Sequence, residues 1–209
     1  MGRGWFITFE GGEGSGKTTQ VRRLEEHLRG GGHEVVVTRE PGGTAVAEAV
    51  RAVLLDPAQD PDPLTELFLL EAARRDHVER VIRPALERGA VVLCDRFADS
   101  SVVYQGLVGG VEAATVERLN RLATGGLEPD LTFVLDLPAE EGLARVGRRN
   151  GGGSGNRIDG HPLEFHRRVR DAFLELARRG GRRFRILPAR QDEDRLFELL
   201  LDELPEELR

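Results

Sequence analysis

One segment limits what this chain can fold into more than any other. Residues Trp5 to Glu10 (WFITFE) form a short β-branched and aromatic run of the kind that makes a buried strand. Gly11-Gly12-Glu13-Gly14-Ser15-Gly16-Lys17-Thr18 follows directly, and a helical pattern then runs to about Arg29 with Val21, Leu24 and Leu28 on one face. A strand, a turn of the form G-x-x-x-x-G-K-[ST] and a helix, in that order, make a cradle for phosphate. Glycines let the backbone close round an anion so that successive N–H groups point inward. The helix start adds its positive dipole end. Lys17 is placed to supply a compact charge to the β- and γ-phosphates of a nucleoside triphosphate, and Thr18 a hydroxyl to Mg²⁺.

The lysine is informative for a second reason. The chain has 30 basic residues, and Lys17 is the only lysine among them. A lysine kept where arginine is used everywhere else marks a chemical requirement at that position. The remaining composition sets broad bounds. At 209 residues, 39% hydrophobic and 32% charged, the chain fits one soluble domain with a sizeable core. The net charge of -6 argues against a general nucleic-acid binder. No apolar run approaches the roughly 20 residues that span a bilayer. Residues 1–5 lead straight into the first strand, so no cleavable signal is expected. The single cysteine, Cys94, rules out an internal disulfide framework and suits a reducing compartment, so the expected location is the cytoplasm.

Further strands are expected at Glu34–Thr38, Ala90–Cys94, Leu131–Leu135 and Phe184–Leu187. Helical patterns lie between them: after Pro41-Gly42-Gly43, from about Leu64 to Arg88 with Pro84 as a kink or restart, at Ser100–Gln105 and Val111–Ala123, and at Ala139–Arg149 and Leu163–Arg179. A last helix starts near Glu193. Strands alternating with helices, several of them apolar on both faces, imply an α/β fold: a parallel five-stranded sheet covered by helices on both sides. Ligands in such sheets sit at the carboxyl ends of the strands. The stretch from Asn150 to Asn156 (NGGGSGN) is the most flexible-looking part of the chain.

The phosphate loop implies a nucleoside triphosphate and leaves the reaction open. A GTPase switch needs a guanine-reading element that contains a lysine after the loop, and this chain has none. A coupled ATPase is usually larger. Two more segments carry the distinction. Thr38-Arg39-Glu40-Pro41-Gly42-Gly43-Thr44 follows the second strand, and Asp95-Arg96-Phe97-Ala98-Asp99-Ser100-Ser101-Val102-Val103-Tyr104-Gln105-Gly106 follows the third. Both set arginine and carboxylate beside the phosphate loop. With the loop, the two segments and an arginine-bearing glycine-rich stretch in the same order, nearly the whole chain closely resembles the bacterial thymidylate kinases.

The resemblance implies a three-layer P-loop fold in one domain over residues 1–209, with a mobile lid at about 145–160. It implies transfer of the γ-phosphate of ATP to dTMP, with Mg²⁺ on Thr18 and Asp95, in a cytoplasmic homodimer that engages neither nucleic acid nor membrane. Lys17, Asp95, Arg96 and Arg157 take the catalytic roles. ATP is expected on Gly11, Gly12, Glu13, Gly14, Ser15, Gly16, Lys17, Thr18 and Thr19, with Arg149 from the lid. The acceptor is expected on Glu13, Arg39, Pro41, Arg51, Leu70, Arg74, Arg96, Ser101 and Tyr104. Within that set Glu13 meets the sugar 3′-hydroxyl, Arg74 the thymine carbonyl, and Arg39, Arg51 and Arg96 the acceptor phosphate. Leu70 stands where the family has a base-stacking phenylalanine, and another aromatic such as Phe97 is expected to substitute in part. Val103 replaces the usual alanine, and Gly109 stands where many relatives have arginine.

Blander readings stand beside these. Arg74 also reads as an ordinary helix-surface arginine, and Tyr104 as a core tyrosine. Asp95 equally reads as an acidic strand end facing Mg²⁺. His77 and His161 read as incidental, and the run Arg178–Arg183 as a solvated helix end. Another nucleoside monophosphate kinase, or a P-loop ATPase or switch protein, is the alternative function.

Overall fold

The structure is a computed structural model that describes residues 4–149, 151 and 155–209. The start of the chain that reads as free of a signal, and part of the glycine-rich stretch (residues 150 and 152–154), lie outside the described residues.

β1 (Phe6–Glu10) is buried at every position, as its unbroken apolar run requires of a central strand. The phosphate loop leads from it into α1 (Lys17–Gly30). β2 (Val35–Arg39) and α2 (Ala45–Leu55) follow, the helix capped by the Thr44 hydroxyl, which accepts from the Ala47 N–H. Asp62 caps α3 (Pro63–His77), with proline at its first position, where a missing N–H costs nothing.

Pro84 marks a new first turn, in the α-helical segment that begins at Arg83. A π-helical turn, Val78–Ile82, joins α3 to α4 (Arg83–Glu87), and the Arg83 N–H reaches five residues back to the Val78 carbonyl. The extra residue in the turn makes room for a ring that lacks an N–H and crowds the preceding turn. β3 (Val91–Asp95) then leads to α5 (Ala98–Ser101), a second π-helical segment, Val102–Val108, and α6 (Ala113–Thr124). The expected helix at Ser100–Gln105 is therefore wound more widely than an α-helix. β4 (Leu131–Asp136), α7 (Ala139–Arg149), α8 (Leu163–Arg179), β5 (Phe184–Pro188) and α9 (Glu193–Asp202) complete the chain.

All strand pairs are parallel, in the order β2-β3-β1-β4-β5, as the alternation of strands and helices predicts. One apolar cluster joins Ile7, Phe9, Leu93 and Phe133 to Leu24 and Leu28 of α1 and Leu196 and Leu200 of α9. A second cluster joins Phe6 of β1 and Val92 of β3 to Phe97, Val78, Ile82 and Leu86. A third cluster joins Val103 and Val134 to Phe173 and Val169 of α8, so Val103 serves the core. Full burial of such a side chain stabilises by about 1.5–3 kcal/mol. Register brings the strand ends level: Phe9 lies opposite Asp95, and Arg39 opposite Asp95 from the other side. The loops after β1, β2 and β3 thus open into one crevice.

Candidate active site

A cavity of about 770 Å³ lies over these strand ends. Glu13 to Thr19, Arg39, Pro41, Arg51, Leu70, Arg74, Asp95, Arg96, Ser101, Tyr104, Arg149 and Arg157 all border it. Distant segments that read as one site are therefore brought together.

The loop holds its shape because Gly14 has φ 68° and lies against α7. A Cβ on Gly14 would run into the Gly142 carbonyl, and a Cβ on Gly142 into the Glu13 carbonyl. Gly142 escapes a reading of the sequence because nothing local marks a glycine in the first turns of a helix as a contact. The Lys17 ammonium donates to the carbonyls of Gly12 at 2.9 Å and Gly11 at 3.2 Å. Burial lowers its pKa, with the Arg96 charge adding to that, while Asp95, Glu13 and Glu10 pull the other way. The Thr18 hydroxyl donates to Asp95 Oδ2 at 2.9 Å. A hydroxyl beside a carboxylate, next to a phosphate cradle, is a hard oxygen set that fits Mg²⁺.

Cations crowd beside the loop in the same cavity. Arg39 forms a bidentate pair with Glu48, and Arg51 donates to the Pro41 carbonyl at 2.9 Å. Burial depresses the Arg51 pKa, and the neighbouring Arg39 charge lowers it further. Arg96 donates to Glu13 at 2.7 Å, its guanidinium carbon 5.3 Å from the centre of the Tyr104 ring. The Tyr104 hydroxyl donates to the same carboxylate at 3.1 Å. Burial alone would raise the Glu13 pKa. The charges of Arg96 and Lys17 outweigh it and hold the group at about 2, so Glu13 is an anion at neutral pH.

Arg74 is no surface residue. It is 2% exposed, and all five of its donors are engaged. Nε donates to Glu40 at 2.8 Å, and Nη1 to Glu71 and to Asn120 at 2.7 Å. Nη2 makes the two longest bonds, to Ser101 Oγ at 3.1 Å and to the Phe97 carbonyl at 3.3 Å. Burial disfavours the cation, but Glu40 and Glu71 outweigh it and raise its pKa. His77 belongs to the same network, between Thr38 Oγ1 at 2.6 Å and Glu40 Oε1 at 3.0 Å, so it is not incidental. His161 stacks on Phe165. Phe97 is an unsuitable aromatic substitute: its ring is wholly buried, edge-on to Phe6 at 4.9 Å. Leu70, half-buried, remains the apolar wall one turn before Arg74.

Arg157 borders the cavity beside α2 and α3. Its guanidinium pairs with Glu66 and donates to the Leu54 carbonyl at 2.9 Å, while its N–H reaches the Leu55 carbonyl at 3.2 Å. Glu66 also accepts from Gln105 Nε2 at 2.8 Å, and Gln105 Oε1 is buried with no hydrogen-bond partner among the described residues. Gln105 belongs to the segment that follows the third strand, whereas Glu66 does not stand out in the sequence. The signal for Glu66 is its spacing, four residues before Leu70 and eight before Arg74 on one helix face. Arg149, at the end of α7, is exposed. The run Arg178–Arg183 also needs correction. Arg183 is no solvated end: it clasps Asp99 with two bonds of 2.7 Å and donates to Thr132 Oγ1 at 2.6 Å.

A phosphate cradle ending the central strand of a parallel sheet, with an arginine cluster bordering the same cavity, defines a P-loop phosphotransferase. The thymidylate kinase family model matches residues 9–199. A thymidylate kinase of Caulobacter vibrioides is 50% identical over 203 residues, covering 97% of this chain and 96% of that protein. One from Deinococcus radiodurans is 51% identical over 196 residues, covering 94% of each. The crystal structure of thymidylate kinase from Ehrlichia chaffeensis superposes with a TM-score of 0.78 at 35% identity, over 97% of this chain and 99% of that one. The chain belongs to the thymidylate kinase family.

Proposed function

We propose that the chain transfers the γ-phosphate of ATP to dTMP, giving ADP and dTDP. The observation that carries this reading is the single cavity bordered both by a phosphate loop and by Arg39, Arg51 and Arg96. A phosphate monoester has a second pKa of about 6, so the attacking oxygen is already ionised at pH 7. The protein then needs to position and neutralise rather than to remove a proton. Lys17 and the loop N–H groups hold the donor. Arg39, Arg51 and Arg96 hold the acceptor phosphate, their planar forks suited to bidentate contact. Mg²⁺ on Thr18 and Asp95 would supply charge to the β- and γ-oxygens, and Asp95 also orients the acceptor.

Glu13 takes the deoxyribose hydroxyl, and Leu70, Ser101 and Tyr104 line the base and sugar. Arg74 offers the thymine carbonyl its Nη2 end, where its bonds are longest. Arg157 exchanges Glu66 for the migrating phosphoryl group and supplies the cation the phosphate loop lacks, with Arg149 beside it. The molecule works as one kinase domain in the cytoplasm, and no helix among the described residues is long and apolar enough to cross a membrane. A homodimer through α2, α3 and α6 would cover the exposed Val46, Val53, Leu64, Phe68 and Leu122; a monomer by equilibrium sedimentation would remove it.

The test is ADP release with ATP, Mg²⁺ and each of dTMP, GMP, CMP and AMP in turn, on the native protein and on Arg157→Ala. Dependence on dTMP supports the reading, and hydrolysis independent of any acceptor replaces it with an ATPase or switch. Arg157→Ala lowers kcat more than it raises KM for dTMP; an unchanged kcat passes the role to Arg149.

A further inference from the structure

Arg96 is the one non-glycine residue with positive φ among those described, at 70°. That conformation is disfavoured for an L-residue with a side chain, and it persists only where the surroundings over-determine it. The groups that do so lead to Glu10, the last residue of β1. Its Oε1 accepts from the Phe97 N–H at 2.8 Å, immediately after the strained residue. Its Oε2 accepts from the Ser100 hydroxyl at 2.6 Å. Ser100 Oγ in turn accepts from Arg96 Nη1 at 3.3 Å, and that nitrogen lies 3.9 Å from Glu10 Oε2.

Arg96 thus sits between two carboxylates, Glu13 on the cavity side and Glu10 behind. Glu10 has no exposed surface and does not border the cavity, so it has no access to a nucleotide. It is a costly residue to keep there. Burial pushes its pKa up to about 7, against the pull of Arg96, and the Asp99 charge adds to the rise. Asp99 is answered by Arg183, which leaves Glu10 to the Arg96 turn.

We propose that Glu10 is a positioning residue for the acceptor-phosphate site: it holds the left-handed turn at Arg96 and backs the guanidinium so that the fork faces the cavity. The proposal rests on the reading that Arg96 binds the acceptor phosphate. A carboxylate that only caps the start of α5 would affect stability without favouring one substrate over the other.

The experiment is a double-mutant cycle of Glu10→Gln with Arg96→Lys, measuring kcat and KM for dTMP and for ATP. Glu10→Gln keeps the side chain's length and sets an N–H₂ group against one of its two donors. It should lower kcat/KM for dTMP about tenfold, the size expected for one charge-assisted hydrogen bond, with KM for ATP within about twofold. In the Arg96→Lys background the same change should add no more than about twofold. Losses that multiply in the double variant, or that fall equally on ATP and dTMP, overturn the proposal. Native dTMP kinetics in Arg96→Lys alone would instead overturn the acceptor-phosphate assignment, and the role of Glu10 with it. If Glu10→Gln does not fold, Ser100→Ala removes one donor and keeps every charge. It should move the dTMP constants the same way by about threefold, and native values there overturn the proposal.

Discussion

The two walls of the cavity are held by different kinds of structure. On the donor side, eight consecutive residues do most of the work: backbone N–H groups, glycine conformations, one lysine and the start of α1. On the acceptor side, no segment suffices alone. Arg74 of α3 is fixed by Glu40 from the loop after β2, Asn120 from α6, and Ser101 from the turn after β3. Glu13 meets Arg96 and Tyr104, 83 and 91 residues away in the chain. A wall built from backbone tolerates side-chain change at little structural cost. A wall built from a buried ionic network does not, because Arg74 is compensated both from its own helix by Glu71 and from the loop after β2 by Glu40.

That contrast breaks most sharply at Lys17. Lys17→Ala should lower kcat by about 10²–10³-fold, the size seen when one charge-stabilising donor is lost from a preorganised site. The fold should survive, because the lysine bonds only to its own loop. A steady-state assay beside a thermal melt checks both halves. Near-native turnover would remove Lys17 from the donor site, and a collapse of the melting temperature would deny that the loop is locally self-sufficient.

Arg74→Ala should do the reverse. Removing one partner from a buried charge network costs about 3–5 kcal/mol, because Glu40 and Glu71 are left without a counter-charge. For a chain of this size each kcal/mol moves Tm by about 2–4 °C, so the melt should fall by roughly 10 °C. ATP binding, measured at low temperature by equilibrium dialysis, should stay within about twofold of native. A Tm within two degrees of native would show that the network does not hold the acceptor wall. Lost ATP binding would show that the two walls are not separable.

The same contrast explains what could be read from the sequence. The cradle is legible because its requirements are local: glycines for φ, a lysine, a strand before and a helix after. The sheet is legible because strands buried on both faces leave unbroken apolar runs. The network around Arg74 is not, since Glu40 and Asn120 lie 34 and 46 residues from it in the chain, and no local pattern points to either. Arg183 was hidden for the opposite reason. It ends a basic run that composition alone assigns to solvent; the pairing of β5 with β4 sets Phe184 opposite Thr132, and Arg183 beside it reaches Thr132 and Asp99. His77 reads as incidental until Thr38 and Glu40 converge on its two ring nitrogens. Gly142 and Glu66 needed tertiary contacts of the same kind.

Leu70 gives the smallest and most specific test of the acceptor wall. It borders the cavity half-buried, midway between Glu66 and Arg74 on one face of α3, so an apolar plate stands beside the donors that would read a base edge. The Phe97 ring, which the sequence offers as a substitute, is spent in the core. Leu70→Phe adds a ring at the position open to the cavity, and an aromatic contact is worth about 0.5–1.5 kcal/mol beyond the area it buries. KM for dTMP should therefore fall about two- to tenfold, with KM for ATP and Tm unchanged. A change in both KM values would mean that the ring disturbs the whole cavity, and an unchanged KM for dTMP would place the base elsewhere along the wall.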